Sequence, residues 1–156
     1  MQINCKGNLI DLKTPKIMGV LNLTPDSFYD GGKYKNLKDV LLQVEKMLDE
    51  GATFIDVGAY SSRPGADHIS EKEELERLLP VLNEIFKTFP ETLVSVDTFR
   101  SKVAKSAIEA GASIVNDISA GGLDHEMMQT VAKLQVPYIM MHMKGTPQTM
   151  KQLAEY

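Results

Sequence analysis

Six polar residues stand at or near the ends of apolar runs: Asn22, Asp56, Asp97, the adjacent pair Asn116 and Asp117, and His142. A polar side chain in such a place costs free energy to bury unless it is paired, so each needs a partner in protein, water or ligand. Asn22 offers a neutral carbonyl oxygen, a hard donor suited to a Mg²⁺ ion that keeps most of its waters and is held through a phosphate. It could equally shape the turn before Thr24-Pro25. Asp97 and Asn116 offer an acceptor and a mixed donor and acceptor, a pair suited to a planar heterocycle with amino and ring N–H groups. The loop "SSRPGADHIS" (61–70) is the strongest anion candidate: Ser61 and Ser62 bring hydroxyls, Arg63 a planar fork able to hold phosphate bidentately, and Pro64-Gly65 a close backbone approach. A solvated surface charge is the plainer alternative for Arg63. His68 and His125 lie in polar surroundings and are expected to be solvated, whereas His142, at the end of an apolar run, is expected to support other groups. With no His-x-x-x-His or Cys-x-x-Cys, a zinc site has no support.

These residues must be positioned by the elements between them. Five apolar runs, "KIMGVLN" (16–22), "TFIDVGA" (53–59), "TLVSVDT" (92–98), "SIVNDIS" (113–119) and "VPYIMMH" (136–142), are nearly continuous, as expected of parallel strands covered on both faces. Amphipathic segments separate them. The first, 36–51, has Asn36 as a cap, Val40, Val44, Met47 and Leu48 on one stripe, and Gly51 as a stop. The second opens with a Ser70/Glu73 capping box, carries Leu75, Leu78, Leu79, Leu82 and Ile85, and is expected to kink or divide at Pro80. Segments 101–111 and 124–135 read as shorter helices capped by Ser101 and Asp124. "EGATFIDVGA" echoes "AGASIVNDISA", so one βα unit recurs. A hairpin over 1–14, turning at Lys6-Gly7-Asn8, is expected to precede βα units one to five over 16–156. Right-handed crossovers put every strand's C-terminal end on one side, where a ligand would bind. Both a five-stranded doubly wound sheet and the first strands of a barrel fit.

The bulk properties narrow the function. The 156 residues suit a single domain, and 43% hydrophobic with 24% charged residues is globular composition. A net charge of −4 supplies no field for nucleic acid or an anionic membrane, so neither is an expected partner. The lone Cys5 excludes an internal disulfide and suits a reducing compartment. The N-terminal residues lack a signal-peptide pattern and no long apolar span occurs, which together predict a cytoplasmic protein.

In order and spacing, "IMGVLNLTPDSFYDGG", "IDVGAYSSRPGA", "SVDTFRSKVA", "GASIVNDISA" and "MHMKGTPQTM" resemble the dihydropteroate synthase family across essentially the whole chain. The resemblance implies an α/β TIM barrel of folate biosynthesis. Such an enzyme condenses p-aminobenzoate with 6-hydroxymethyl-7,8-dihydropterin diphosphate, releases pyrophosphate, and is a target of sulfonamides. It further implies Mg²⁺ as cofactor, with Asn22 beside the leaving pyrophosphate, and Asp97 and Asn116 as pterin-recognising positions. By the same resemblance, Ser62 and Arg63 meet the diphosphate and the p-aminobenzoate end, with Pro64 beside the aromatic ring. Phe28 and Asp30 belong to a mobile first loop that closes over the second substrate, making Asp30 and Arg63 the catalytic candidates. Ile118, Ile139 and Met141 are expected to line the pterin pocket. Tyr60 replaces a glutamate common in the family, which leaves its role open. The resemblance covers the hairpin and the first five strands of a (βα)8 barrel, from which we expect no synthase turnover by this chain alone; the full-length family implies a homodimer. A methyltetrahydrofolate-dependent methyltransferase domain and a non-catalytic binding fragment are the alternatives.

Overall fold

The structure, a computed structural model, describes residues 1–23, 33–60, 68–146, 149, 150 and 153. Phe28, Asp30, Ser62, Arg63 and Pro64 lie outside the described residues.

The chain opens with β1 (Gln2–Cys5) and β2 (Asn8–Asp11), an antiparallel pair turning at Lys6 and Gly7. There follow β3 (Met18–Asn22), α1 (Lys33–Asp49), β4 (Phe54–Gly58), α2 (Glu71–Thr88), β5 (Leu93–Asp97), α3 (Ser101–Ala110), β6 (Ile114–Asp117), α4 (Met127–Leu134) and β7 (Tyr138–Met140). β3 to β7 form one parallel sheet in strict sequence order. A doubly wound sheet reverses direction at a switch point; this one never does, so the doubly wound alternative falls and the order is that of consecutive TIM-barrel strands.

The echoed glycines explain the repeat. At the end of α1, Ala52 N–H donates to the Met47 carbonyl (2.9 Å) and Gly51 N–H to that of Leu48 (3.0 Å). At the end of α3, Ala112 donates to Ala107 (2.9 Å) and Gly111 to Ile108 (3.0 Å). Both are Schellman stops, and each needs a residue at positive φ, supplied by Gly51 at +100° and Gly111 at +124°.

One face of the sheet packs on the helices. Ile55, Val57, Val94, Val96 and Val115 meet Val44 of α1, Leu78, Leu82 and Ile85 of α2, and Val103 and Ala107 of α3, all within one buried cluster. Each such branched aliphatic side chain contributes roughly 1.5–3 kcal/mol relative to exposure. The other face begins, at the N-terminal ends of the strands, with Met18, Phe54, Leu93 and Ile114, which the hairpin covers with Ile3, Cys5 and Ile10. That apolar floor gives way to polar residues toward the C-terminal ends.

Several local expectations need correction. α1 already begins at Lys33, so Asn36 lies inside it rather than capping it. α2 runs unbroken through Pro80; the proline is exposed, and so is Glu76, whose carbonyl loses its helical donor on the solvent side. The Ser70 hydroxyl does accept from Glu73 N–H at 3.2 Å, but the Glu73 carboxylate turns to Arg77 (2.5 Å). Ser101 is the first residue of α3 rather than its cap. Its N–H donates to Asp124 Oδ2 at 2.7 Å, so Asp124 caps α3 from the connection that leads into α4. The expected buried run at 136–142 is a short strand that leaves Ile139 39% and Met140 56% exposed, because among the described residues β7 pairs only with β6.

Candidate functional site

Parallel pairing carries one row of residues across the C-terminal edge of the sheet: Asn22 is in register with Gly58, Gly58 with Asp97, Asp97 with Asn116, and Asn116 with Ile139. Residues in register share a face, so four of the residues singled out from sequence stand together on the face away from the helices. Gly58 makes room in the middle of this row. A Cβ there would lie 3.2 Å from both Asp97 Cβ and Oδ2, so the aspartate occupies the space a larger residue would fill. The edge is extended by backbone bonds from Leu23 N–H to Gly58 O (2.8 Å), Thr98 N–H to Asn116 O (3.0 Å) and Met141 N–H to Asp117 O (3.1 Å).

Asp97 is the electrostatic centre. Among the described residues its carboxyl receives no hydrogen bond, and its pKa is pushed up to about 7, first by burial and then by the charges of Asp56, Glu74 and Asp117. Asn116 is half-buried and donates through Nδ2 to Asp56 Oδ2 at 3.0 Å. Burial raises the pKa of Asp56, while the Ser95 hydroxyl and the Asn116 amide draw it back. The Ser95 contact falls short of a full hydrogen bond, since among the described residues Asp56 Oδ1 and Ser95 Oγ are both buried without a partner. Asn22 is exposed at the end of β3, Ile118 is half-buried just after β6, and Met141 is exposed just after β7. His142 is exposed rather than the buried supporting group expected from sequence.

Asp117, beside Asn116 but on the helix side, is wholly occupied by structure. Its carboxylate accepts from Ser119 N–H and Oγ (both 2.8 Å), Gly121 N–H (2.8 Å) and Tyr138 OH (2.6 Å). These bonds wrap the chain after β6, and burial together with this carboxylate raises the Tyr138 pKa.

A second network fixes the chain where it rejoins α2. Glu74, fully buried, pairs with Arg100 and accepts from Thr98 Oγ1 at 2.7 Å. Burial nonetheless raises its pKa, against the pull of Thr98 and Arg100. Arg100 Nη2 also donates to the Ile69 carbonyl at 2.7 Å. Tyr60 stands edge-on to Phe99, with ring centroids 4.9 Å apart, and its hydroxyl lies 3.2 Å from His68 Nδ1. So Tyr60 has a structural role that the sequence left open, and exposed His68 is bonded rather than merely solvated. Sequence reasoning singled out Asp56 but not its bond to Asn116, and it did not anticipate the Glu74–Arg100 pair. The polar interruption in "TFIDVGA" was the available signal for Asp56; nothing local marks Glu74, which reads as one more helix-surface acid.

Comparison with known proteins decides the lineage. The profile of a family described as pterin binding enzyme matches residues 18–156. This chain belongs to the pterin binding enzyme family. It is 44% identical over 151 residues to the Haemophilus influenzae dihydropteroate synthase, covering 97% of this chain and 54% of that protein. It is 51% identical over 140 residues to the Pneumocystis carinii folic acid synthesis protein fol1, covering 90% of this chain and 19% of that protein. A crystal structure of the Yersinia pestis dihydropteroate synthase with a sulfonamide drug complex superposes with a TM-score of 0.87 at 40% identity, covering 100% of this chain and 56% of that one. The chain thus spans about half the length of the bacterial synthase relatives it matches.

Proposed function

We propose that this chain carries the pterin and diphosphate end of a dihydropteroate synthase site, as one partial barrel domain over 1–156 with the hairpin at 1–14. The observation that supports the reading most is the row Asn22, Gly58, Asp97, Asn116, Ile139, in which an acceptor without a partner among the described residues and an oriented amide share one edge. A pterin ring offers an amino group and a ring N–H to such a pair, and Ile118, Ile139 and Met141 would border the ring. An ionised Asp97 is the better acceptor, so a ligand donating two hydrogen bonds would draw its pKa down from about 7.

In the reaction the p-aminobenzoate nitrogen attacks the methylene carbon of the dihydropterin diphosphate. A C–N bond forms, the C–O bond to the diphosphate breaks, pyrophosphate leaves with the electron pair, and the amine loses a proton. The amine needs positioning more than activation, and the electrophilic carbon needs protection from water. The reading assigns Ser62, Arg63 and Pro64 to the diphosphate and p-aminobenzoate ends, and Phe28 and Asp30 to the closing loop; Asp30 and Arg63 are the catalytic candidates. Mg²⁺ fits the exposed amide oxygen of Asn22, a hard neutral donor, and among the described residues no cluster of three or more acidic, histidine or cysteine side chains could hold it alone. Bound there, it would neutralise charge on the departing diphosphate. The proposal places the protein in the cytoplasm, as a dimer when full length; no helix among the described residues is long and apolar enough to cross a membrane.

Titration calorimetry with dihydropterin diphosphate and Mg²⁺ tests the reading. We expect measurable binding by the parent chain that weakens at least about tenfold in Asp97→Asn, through loss of a charge-assisted bond. Absence of heat from the folded parent would refute it.

A further inference from the structure

We infer that Asp56 is a positioning residue: it fixes the orientation of the Asn116 amide, and so the atoms that Asn116 presents to a heterocyclic ligand, without touching that ligand itself. The inference rests on the pterin reading of the site. Asp56 lies in the middle of β4 and is only 4% exposed, in register with Ser95 and two residues below Gly58 on the same face. An asparagine amide has two donors on nitrogen and an acceptor oxygen, while an ionised carboxylate can only accept. The 3.0 Å bond from Asn116 Nδ2 to Asp56 Oδ2 therefore holds the nitrogen toward Asp56. Asn116 Oδ1 and its second N–H remain for other partners. Turning the amide over would set two acceptors against each other in a buried place, which disfavours that orientation by roughly tenfold or more.

The other oxygen of Asp56 carries the argument further. Among the described residues Asp56 Oδ1 is buried without a partner, and so is the Ser95 hydroxyl opposite. A carboxylate kept only for the fold is normally saturated, as Asp117 is with four donors and Glu74 is with Thr98 and Arg100. Asp56 is instead buried for a single bond, and that bond goes to a residue of the row. Such a local cost without a structural return is what a functional position looks like. Asp56 is also one of the charges that hold Asp97 in its proton-binding range, so it acts on both members of the recognition pair.

The test begins without ligand, on the ¹⁵N-labelled chain at pH 8. In the parent we expect the Asn116 side-chain amide to show one proton shifted downfield and slow to exchange. Asp56→Ala should lose both signatures; Asp56→Asn, whose carbonyl still accepts, should keep part of them; circular dichroism verifies that each variant is folded. An Asn116 amide unchanged in a folded Asp56→Ala overturns the inference. Titration with 6-hydroxymethylpterin follows: Asp56→Ala should bind about tenfold more weakly than the parent, Asp56→Asn should fall between, and Ser95→Ala should bind like the parent. Equal affinity in Asp56→Ala and parent also overturns it. Failure of the parent to bind would sink the pterin reading instead, and the amide signals, which need no ligand, would still decide the role of Asp56.

Discussion

On the helix-facing side of β4, β5 and β6, Ile55, Val57, Val94, Val96 and Val115 are completely buried aliphatic side chains. The same three strands present Asp56, Ser95, Asp97 and Asn116 on their other face, with one bond joining Asp56 to Asn116 and buried polar atoms left over. Because side chains alternate along a strand, the two sets are interleaved residue by residue and cannot be separated by any cut in the sequence. The aliphatic set is close-packed and self-sufficient. Among the described residues the polar set keeps buried atoms without partners, Asp56 Oδ1 and Ser95 Oγ. A single sheet can thus hold a stable side and a costly side a few ångströms apart, the first supporting the strain of the second.

The sharpest way to break this comparison is to damage the aliphatic side alone. Leu82 of α2 is fully buried against it. Leu82→Ala should cost about 2–5 kcal/mol in urea unfolding, with pterin affinity unchanged wherever the variant is still folded. A selective loss of affinity would show that the two faces are not independent.

The polar side should answer in the opposite sense. The Asp97 pKa of about 7 in the fold lies above its ordinary value, so the folded state keeps a proton that the unfolded chain releases. Stability should therefore fall as pH rises from about 4 through about 7, by at most about 1.4 kcal/mol per pH unit. Asp97→Asn should flatten that slope and be more stable than the parent at about pH 8, while binding pterin more weakly. Urea unfolding across the pH range measures it; a parent more stable at pH 8 than at pH 5, with the slope unaltered in the variant, would show that the buried charge is not Asp97's.

A smaller effect is expected where neither face is involved. Asp124 holds the first N–H of α3 from outside the helix, and its hydrogen bonds from Ser101 and Glu126 outweigh partial burial to lower its pKa. Asp124→Ala should cost about 1 kcal/mol, without change in ligand affinity, as read by the same unfolding curves.

The repeated βα order, the hairpin and the strand-end residues were all legible in the sequence, because parallel strands buried on both sides leave continuous apolar runs and Gly-Ala stops mark the helix ends. Asn22, Asp97, Asn116 and Ile139 were found separately, and only register brought them into one row. What sequence could not show were partners far apart in the chain: Asp56 with Asn116, Glu74 with Arg100, and Asp124 with Ser101. Local rules assigned Asp124 to its own helix and let Pro80 break α2, since they do not contain the neighbouring unit or the solvent that accommodates the free carbonyl. The 136–142 run was overread as buried because hydrophobicity reports what a strand could cover, not which neighbours it has. The residues assigned to the anion loop and the closing loop lie outside the described residues, so their assignment rests on resemblance.

The hairpin floor also imposes an order in time. Ile3, Cys5 and Ile10 rest on Phe54, Leu93 and Ile114, and Lys6 sits over the Phe86 ring at 4.4 Å. The hairpin therefore has no complete seat until Ile114, more than a hundred residues further along the chain, is in place. Contacts of such long sequence separation form late and leave apolar surface uncovered meanwhile. The hairpin can close over its floor only once β6 is in place.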